Sequence, residues 1–310
     1  MPKDDRQKKI IPFTLVLGGG GARGLAHIGV LKALEKNGFF PSLIVGTSMG
    51  ALVGAMYAQT GSAGLVEEKM RTYLQGDDFN RIGLEQFSDS DNENQRSIWD
   101  RFSTHLRQRY LLSRSALGTG MFAQESLLHG VTMLLGESDI RDLPLRFAAV
   151  TSDLLTGEEV VFTSGSLVTG VAASCAVLGI VAPVKVGSRH LVDGTVTSTI
   201  PVPAARLLSP DPVLAVDVRQ SMKRNERYDH GYEVVIRASD ITRSLLNDVH
   251  LKHADIILKP DVAELNWNQF SRITQCIRSG EQVVEENLSH LVKFLVRHPF
   301  RLFSWKGVSS

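Results

Sequence analysis

Apolar residues recur along the chain with two alternating periods, and this pattern predicts strands interleaved with helices. Residues 13–17 form an apolar run that ends in four glycines, and residues 23–36 then carry apolar side chains near helical spacing. A second apolar run at residues 43–45 is followed by a helical pattern from Met49 onward. A strand, helix, strand, helix order is typical of a parallel α/β sheet.

The rest of the chain continues this alternation. Further strands are predicted at residues 145–155, 159–163, 184–193, 213–218 and 255–259. Further helices are predicted at residues 167–177, 234–253 and 271–295, with an amphipathic helix at residues 98–110. We therefore expect an α/β fold with a mainly parallel central sheet.

Two stretches without charge, residues 41–66 and 163–184, are long enough to cross a bilayer. The first contains a β-branched strand, a glycine turn and a helix, and the second is rich in Ser, Thr and Gly. Burial inside an α/β core explains both better than membrane insertion. Residues 10–17 follow several basic residues as in a signal peptide, but two acids and the lack of a cleavage site favour a first strand.

Length and charge narrow the class of protein. A chain of 310 residues can bury a core without disulfides or metals, and we expect a single domain over residues 1–310, with its core at 12–290. Residues 76–96 are polar and predict an exposed insertion, and residues 291–310 form a basic, aromatic tail. The 34 basic and 33 acidic residues balance, so composition gives no support for nucleic-acid binding.

The spacing of the two cysteines indicates the redox state of the cellular compartment. Cys175 and Cys276 stand in no metal or redox spacing, which predicts two buried free thiols in a reducing compartment. We therefore expect a cytoplasmic protein, and no metal-binding cluster is evident.

The segment Gly46-Thr47-Ser48-Met49-Gly50 is the only G-x-S-x-G in the chain, and it lies where a predicted strand ends and a helix begins. In that context the motif is typical of a nucleophile elbow, with small residues on either side of a sharp turn. The alternative is a tight turn without chemistry. We interpret Ser48 as a nucleophile at a helix N-terminus and Gly46 and Gly50 as the residues that permit the elbow.

The glycine-rich loop after the first strand has three interpretations. Its residues are Gly19, Gly20, Gly21, Ala22, Arg23 and Gly24. The G-x-G-x-x-G spacing matches a dinucleotide fingerprint, but the next strand ends in Ser48 instead of a ribose-binding acid. The loop could also need glycine only to turn. The remaining interpretation is an oxyanion hole, in which backbone N–H groups stabilise the charge formed when Ser48 attacks an ester.

A serine nucleophile needs a base. His27 lies on the first predicted helix, and His230, His250 and His253 could follow an acid in a Ser, Asp, His order, although none lies in an informative motif. Asp193, at the end of an apolar strand, is the stronger candidate, because burial of a carboxylate is costly unless a group such as the Ser48 hydroxyl pairs with it. A carboxylate is a weak base at its reference pKa near ~3.9, so a Ser-Asp dyad requires a dry or tuned site.

The glycine loop, the serine elbow and Asp193-Gly194, in this order, resemble the patatin-like phospholipase family of compact bacterial type. The resemblance implies a three-layer α/β/α fold and a Ser-Asp dyad that needs no histidine, metal or cofactor. It makes Ser48 the nucleophile, Asp193 the general base, and the amides of Gly20 and Gly21 the oxyanion hole, with Arg23 as the basic residue of that loop. It also implies hydrolysis of acyl esters in phospholipids or lysophospholipids.

The sequence departs from the family pattern at residues 176–179 and at Thr195, Ser198 and Thr199. These changes leave the dyad intact but put the shape of the acyl pocket in doubt. An alternative from another class is a non-catalytic lipid-binding or regulatory protein on the same fold, and a third is a nucleotide-binding protein. The basic, aromatic tail is interpreted either as an anchor for peripheral contact with the inner membrane surface or as a helix end docked on the core.

Overall fold

The computed structural model describes residues 9–82, 124–222 and 231–297. The strands are β1 (Lys9–Ile10), β2 (Thr14–Leu17), β3 (Leu43–Thr47), β4 (Arg146–Asp153), β5 (Glu159–Phe162), β6 (Val184–Val186), β7 (Arg189–Asp193), β8 (Val213–Val216), β9 (Ile256–Leu258) and β10 (Val296–Arg297). The helices are α1 (Ala26–Lys36), α2 (Met49–Thr60), α3 (Ala63–Gln75), α4 (Asp77–Ile82), α5 (Gln124–Leu135), α6 (Leu167–Ser174), α7 (Val202–Leu208), α8 (Gly231–Leu251), α9 (Ile273–Glu286) and α10 (Leu288–Leu295).

The central sheet has the order β6-β7-β4-β3-β2-β8-β9, and β5 pairs with β4 as well. Strands β4, β3, β2, β8 and β9 run parallel, whereas β5 and β7 are antiparallel to β4. The predicted mixed α/β fold with a mainly parallel sheet is confirmed. The strand predicted over residues 184–193 with a turn at Gly187-Ser188 is observed as β6 and β7 on either side of that turn.

Helices cover both faces of the sheet, which makes the three layers that the resemblance implies. Along β2, Leu15 and Leu17 point into one core together with α1, α2 and α9, while Val16 points into a second core with α7. Because both faces are covered, the central strands β2, β3 and β8 are buried at every position instead of alternating. The uncharged stretches at 41–66 and 163–184 contain β3, α2 and α6, which are largely buried in this core. Among the described helices, none is long and apolar enough to cross a membrane.

Two elements differ from prediction near the chain ends. The predicted helix at residues 271–295 is broken at Asn287, whose side chain donates to the Val283 carbonyl at 2.8 Å and ends α9. Strand β1 pairs with β10 outside the main sheet, so the segment at residues 10–17 is two strands instead of one.

Parts of two other predicted segments can be described. Within the polar segment at 76–96, residues Asp77–Ile82 form α4. In the basic, aromatic tail, Leu291 and Leu295 of α10 are buried in the core. The remainder of both segments and the predicted helix at 98–110 lie outside the described residues.

Candidate active site

Ser48 occupies a strained turn between β3 and α2. Its φ of 55° makes it the one residue other than glycine with a positive φ among those described. Such a conformation costs about 1–3 kcal/mol and persists only where the surroundings enforce it. The predicted elbow glycines lie on either side: a Cβ on Gly50 would lie 2.1 Å from the Leu17 carbonyl oxygen, and one on Gly46 would lie 2.5 Å from the Gly50 carbonyl oxygen. The backbone of the first turn of α2 therefore packs directly against the backbone of the sheet.

Ser174, at the end of α6, holds the elbow from the other side. Its hydroxyl accepts a hydrogen bond from the Ser48 backbone N–H at 2.8 Å and donates to the Val150 carbonyl at 2.6 Å. Ser174 is completely buried, so both bonds are shielded from water. Sequence analysis missed this residue. The only signal was a serine within an apolar helix, and nothing local connects it with Ser48.

The sheet topology brings Ser48 and Asp193 together. Strand β5 pairs with one edge of β4. Strands β3 and β7 both pair with the opposite edge of β4. They run in opposite directions and meet end to end, since Thr47 pairs with Val150 and Asp193 pairs with Thr151. The serine that follows β3 therefore faces the carboxylate that ends β7.

Asp193 is 1% exposed, and its Oδ1 accepts a hydrogen bond from the Thr195 backbone N–H at 2.8 Å. Burial raises the pKa of the Asp193 carboxyl above its ordinary value, while Ser48, Thr195 and the positive charge of Arg243 act to lower it. A raised pKa makes the carboxylate a stronger base than an exposed aspartate. Gly194, directly after it, begins a short 3₁₀ turn packed against the Val150 carbonyl.

The glycine loop presents two amides near Ser48. The N–H groups of Gly19 and Ala22 donate to the carbonyls of Thr199 and Trp267 at 2.8 and 2.6 Å, so they are already engaged. The amides of Gly20 and Gly21 donate to no group within the described part of the chain. Gly21 has φ of 58° and lines the same cavity as Ser48. These are the two amides that the resemblance implies as oxyanion donors, and that role stays a prediction.

Arg23 and Gly24 support the loop. The buried guanidinium of Arg23 donates to the Val218 carbonyl at 3.0 Å and to the Leu265 carbonyl at 2.9 Å. Burial lowers the pKa of Arg23 to about 10, so the side chain stays charged at neutral pH. Gly24 packs against the Met49 side chain, which connects the loop with α2. Arg23 thus fastens the loop to two other segments.

The candidate histidine bases have other contacts. The Nε2 of buried His27 donates to the Gly18 carbonyl at 2.7 Å, and burial lowers the pKa of its imidazole to about 4. His250 Nδ1 lies 3.2 Å from the Ser198 hydroxyl, and the His253 carbonyl accepts from Arg206. Among the described residues no histidine hydrogen-bonds to Ser48 or Asp193. His230 lies outside the described residues.

An apolar cavity of about 140 Å³ opens at Ser48 and Gly21. Its walls come from α2, α3, α4, α5 and the segment near residue 270, and they include Leu52, Met70, Phe79, Leu127, Val131 and Phe270. Cys175 also lines it, and this cysteine is free and partly exposed, contrary to the expectation of burial, whereas Cys276 is buried as expected. A cavity with this lining accommodates hydrocarbon more readily than a charged group.

Part of this chain is similar in sequence to a known protein family. The family model for patatin-like phospholipases matches residues 15–206. The uncharacterized NTE family protein Rv1063c of Mycobacterium tuberculosis is 32% identical over 208 residues, which are 67% of this chain and 49% of that protein. The mouse patatin-like phospholipase domain-containing protein 6 is 31% identical over 208 residues, 66% of this chain and 13% of that protein.

Among solved structures, VipD of Legionella pneumophila is similar with a TM-score of 0.45 and 11% identity, over 93% of this chain and 69% of that chain. The chain spans about half the length of the mycobacterial relative and a much smaller part of the mouse protein. The matched region contains the glycine loop, the Ser48 elbow and Asp193. The chain therefore belongs to the patatin-like phospholipase family.

Proposed function

We propose that this protein is a serine acyl hydrolase that cleaves carboxylic esters of phospholipids or lysophospholipids through a dyad of Ser48 and Asp193. The observation that carries the proposal is the meeting of a strained serine and a buried carboxylate beside an apolar cavity. The strain positions the hydroxyl, the carboxylate can take its proton, and the cavity suits an acyl chain.

The reaction begins when Ser48 Oγ attacks the acyl carbonyl carbon and its proton passes to the Asp193 carboxylate. The carbonyl oxygen becomes an oxyanion and accepts hydrogen bonds from the N–H groups of Gly20 and Gly21. When the tetrahedral intermediate collapses, the ester C–O bond breaks and the leaving alcohol takes the proton from Asp193. An acyl-serine and a free alcohol result.

The second half of the reaction repeats these steps with water. Asp193 removes a proton from the water, whose oxygen attacks the acyl carbonyl, and the oxyanion again lies at Gly20 and Gly21. Collapse breaks the bond to Ser48, and the proton held by Asp193 returns to Ser48 Oγ. The fatty acid leaves and the dyad is restored, with no cofactor consumed.

Fluorophosphonate labelling and hydrolysis of a lysophospholipid test the proposal. We expect Ser48→Ala to abolish labelling and Asp193→Asn to reduce kcat by about 10³-fold or more, because the nucleophile and its base act as a unit. Ser126 is a matched control, since it lines the same cavity on α5, and Ser126→Ala should keep labelling and turnover.

Equal turnover by wild type and Ser48→Ala would contradict the proposal. Tight lipid binding by wild type without turnover of any ester would favour the non-catalytic alternative. A cytoplasmic location with peripheral contact at the inner membrane surface stays a prediction, which fractionation of cells expressing the full chain would test.

A further inference from the structure

Helix α8 has its apolar face turned outward. Seven aliphatic side chains between residues 234 and 249 are 37% to 66% exposed, and they are Val234, Val235, Ile236, Ile241, Leu245, Leu246 and Val249. The side facing the protein is largely polar, since Asn247 is buried there and bonds to Ile200 N–H and the Thr199 hydroxyl at 3.0 and 2.9 Å. A helix on the surface of a monomer normally has the opposite arrangement.

The contacts of α8 with the sheet come from its C-terminal half. Arg219, just after β8, donates to the Ser244 carbonyl at 3.2 Å and to Asp248 at 3.0 Å, and His250 lies beside Ser198. The helix ends near the start of β8, because Asp255 N–H donates to the Val213 carbonyl. With 21 residues, α8 is about 31 Å long, far longer than the four-residue strand β8 that it follows. Its N-terminal half therefore extends past the carboxyl end of the sheet.

Two residue pairs of the exposed face are symmetric about the point between Ile241 and Thr242. Val234 and Val249 lie equally far from that point on either side, and so do Ala238 and Leu245. All four positions fall on one stripe at helical spacing. Such a stripe meets itself in matching layers when a second identical helix lies antiparallel to it.

The charges beside this stripe agree with that orientation. Arg237 and Asp248 flank the same side of the stripe, because eleven residues correspond to just over three full turns. In an antiparallel two-fold pair this flank of one copy lies beside the same flank of the other, so Arg237 of each copy lies near Asp248 of the other. Arg237 and Arg243 are balanced by Asp240 and Asp248, so the helix carries no excess of positive charge to attract an anionic lipid surface.

We infer that the outward face of α8 is an interface with a second copy of this chain, in which the two helices pack antiparallel around a two-fold axis near Ile241. Closed two-fold dimers are the commonest homo-oligomers, and they require a self-complementary surface of this kind. The projecting half of each helix then covers the half of the partner helix that lies along its own sheet. This interface is independent of whether Ser48 catalyses ester hydrolysis.

Light scattering coupled to size-exclusion chromatography of the full chain tests the interface. For a chain of 34.0 kDa we expect the mass of a dimer, and Leu245→Glu should give a monomer with an unchanged far-UV circular dichroism spectrum. Leu65 is a matched control, because it is 49% exposed on α3, which packs with α1 and α2 on the other face of the sheet, and Leu65→Glu should remain a dimer. A monomeric wild type at 100 µM, or a dimeric Leu245→Glu, would overturn the inference.

Two further measurements test the orientation of the two α8 helices and whether a second copy or a lipid surface covers the exposed face. With a short bis-maleimide cross-linker, antiparallel packing predicts that Ala238→Cys mixed with Leu245→Cys gives cross-linked dimers, while Ala238→Cys alone gives no more than wild type. Efficient cross-linking of Ala238→Cys alone would contradict the antiparallel pair. Wild type that is monomeric, and that co-sediments with phosphatidylcholine and phosphatidylglycerol vesicles only when Leu245 is intact, would assign the face to lipid instead.

Discussion

The carboxyl edge of the sheet and helix α8 both reverse the usual burial pattern, but they do so in opposite directions. At the sheet edge polar groups are inside, since Ser48, Ser174 and Asp193 are each less than 9% exposed. On α8 aliphatic groups are outside, and Leu245 is one of them. A polar group inside can be satisfied by other groups of the same chain, whereas an apolar face outside needs a second surface.

The difference teaches where each region obtains its stability. Around Ser48 the hydrogen bonds close within one chain, through Ser174 to Val150 and through Thr195 to Asp193. Folding of the monomer is therefore enough to build the site. The face of α8 has no such internal partner among the described residues, and the proposed dimer would bury it. The two regions should respond differently to substitution, one in activity and the other in oligomeric state.

Outside the dyad itself, the largest effect within the site is expected from Gly21→Ala. A Cβ at this position would lie 2.3 Å from the Trp267 carbonyl oxygen, and the residue has φ of 58°. The loop must move, which displaces the N–H groups of Gly20 and Gly21, and kcat for ester hydrolysis should fall by about 10²-fold or more.

Gly38→Ala is the matched control for that substitution. Gly38 has φ of 75° but nothing within 4 Å of its would-be Cβ, so the substitution should cost about 1–2 kcal/mol of stability and leave kcat unchanged. If Gly21→Ala instead kept wild-type kcat, the loop amides would not be the oxyanion donors.

A smaller effect is expected from Ser174→Ala, which removes two buried hydrogen bonds from the site. The Ser48 N–H and the Val150 carbonyl would both lose a buried partner, at about 1–3 kcal/mol of stability. Because the elbow is then less well held, kcat should fall by about 10-fold to 100-fold with little change in KM.

Thr169→Ala, on the same helix, controls for general loosening of α6 and should change neither kcat nor KM. Equal losses of kcat in both variants would show that Ser174 acts only through the stability of the helix.

Much of the fold could be predicted because it rests on local patterns. The apolar runs predicted the central strands to within two residues at most ends, and the Gly46 to Gly50 motif placed the elbow. Asp193 was identified because a carboxylate at the end of an apolar strand is unusual. Each of these signals lies within about ten residues of sequence.

The rest depends on contacts between distant segments. Ser174 lies 126 residues from Ser48, and no local pattern connects the two. The pairing of β1 with β10 joins opposite ends of the chain. The pattern over residues 234–253 predicted a helix, but a helical period alone does not reveal whether an apolar face turns toward the core or away from it.

The smallest expected effect concerns the carboxylate of Asp193, because its hydrogen bonds and the charge of Arg243 do not fully offset the cost of its burial. Burial raises the pKa of Asp193 in the folded protein, so the folded state holds its proton to higher pH than the unfolded state does. Stability from this group is complete below the unfolded pKa and is lost as the pH rises through the folded pKa. Asp193→Asn removes the ionisation and keeps an oxygen that can accept from Thr195 N–H.

We therefore expect Asp193→Asn to have a higher Tm than wild type at pH 7, with the difference shrinking as the pH falls toward 4, even though the variant is inactive. Differential scanning calorimetry across this range measures it. Asp153→Asn is the control, because Asp153 is also buried on the adjoining strand and its Oδ1 accepts two backbone N–H bonds. A lower Tm for Asp193→Asn at pH 7 would mean that Arg243 and the hydrogen bonds outweigh the cost of burying the charge. The interactions of the folded chain would then fully offset the cost of burying the active-site carboxylate, as they do for the polar groups elsewhere in the core.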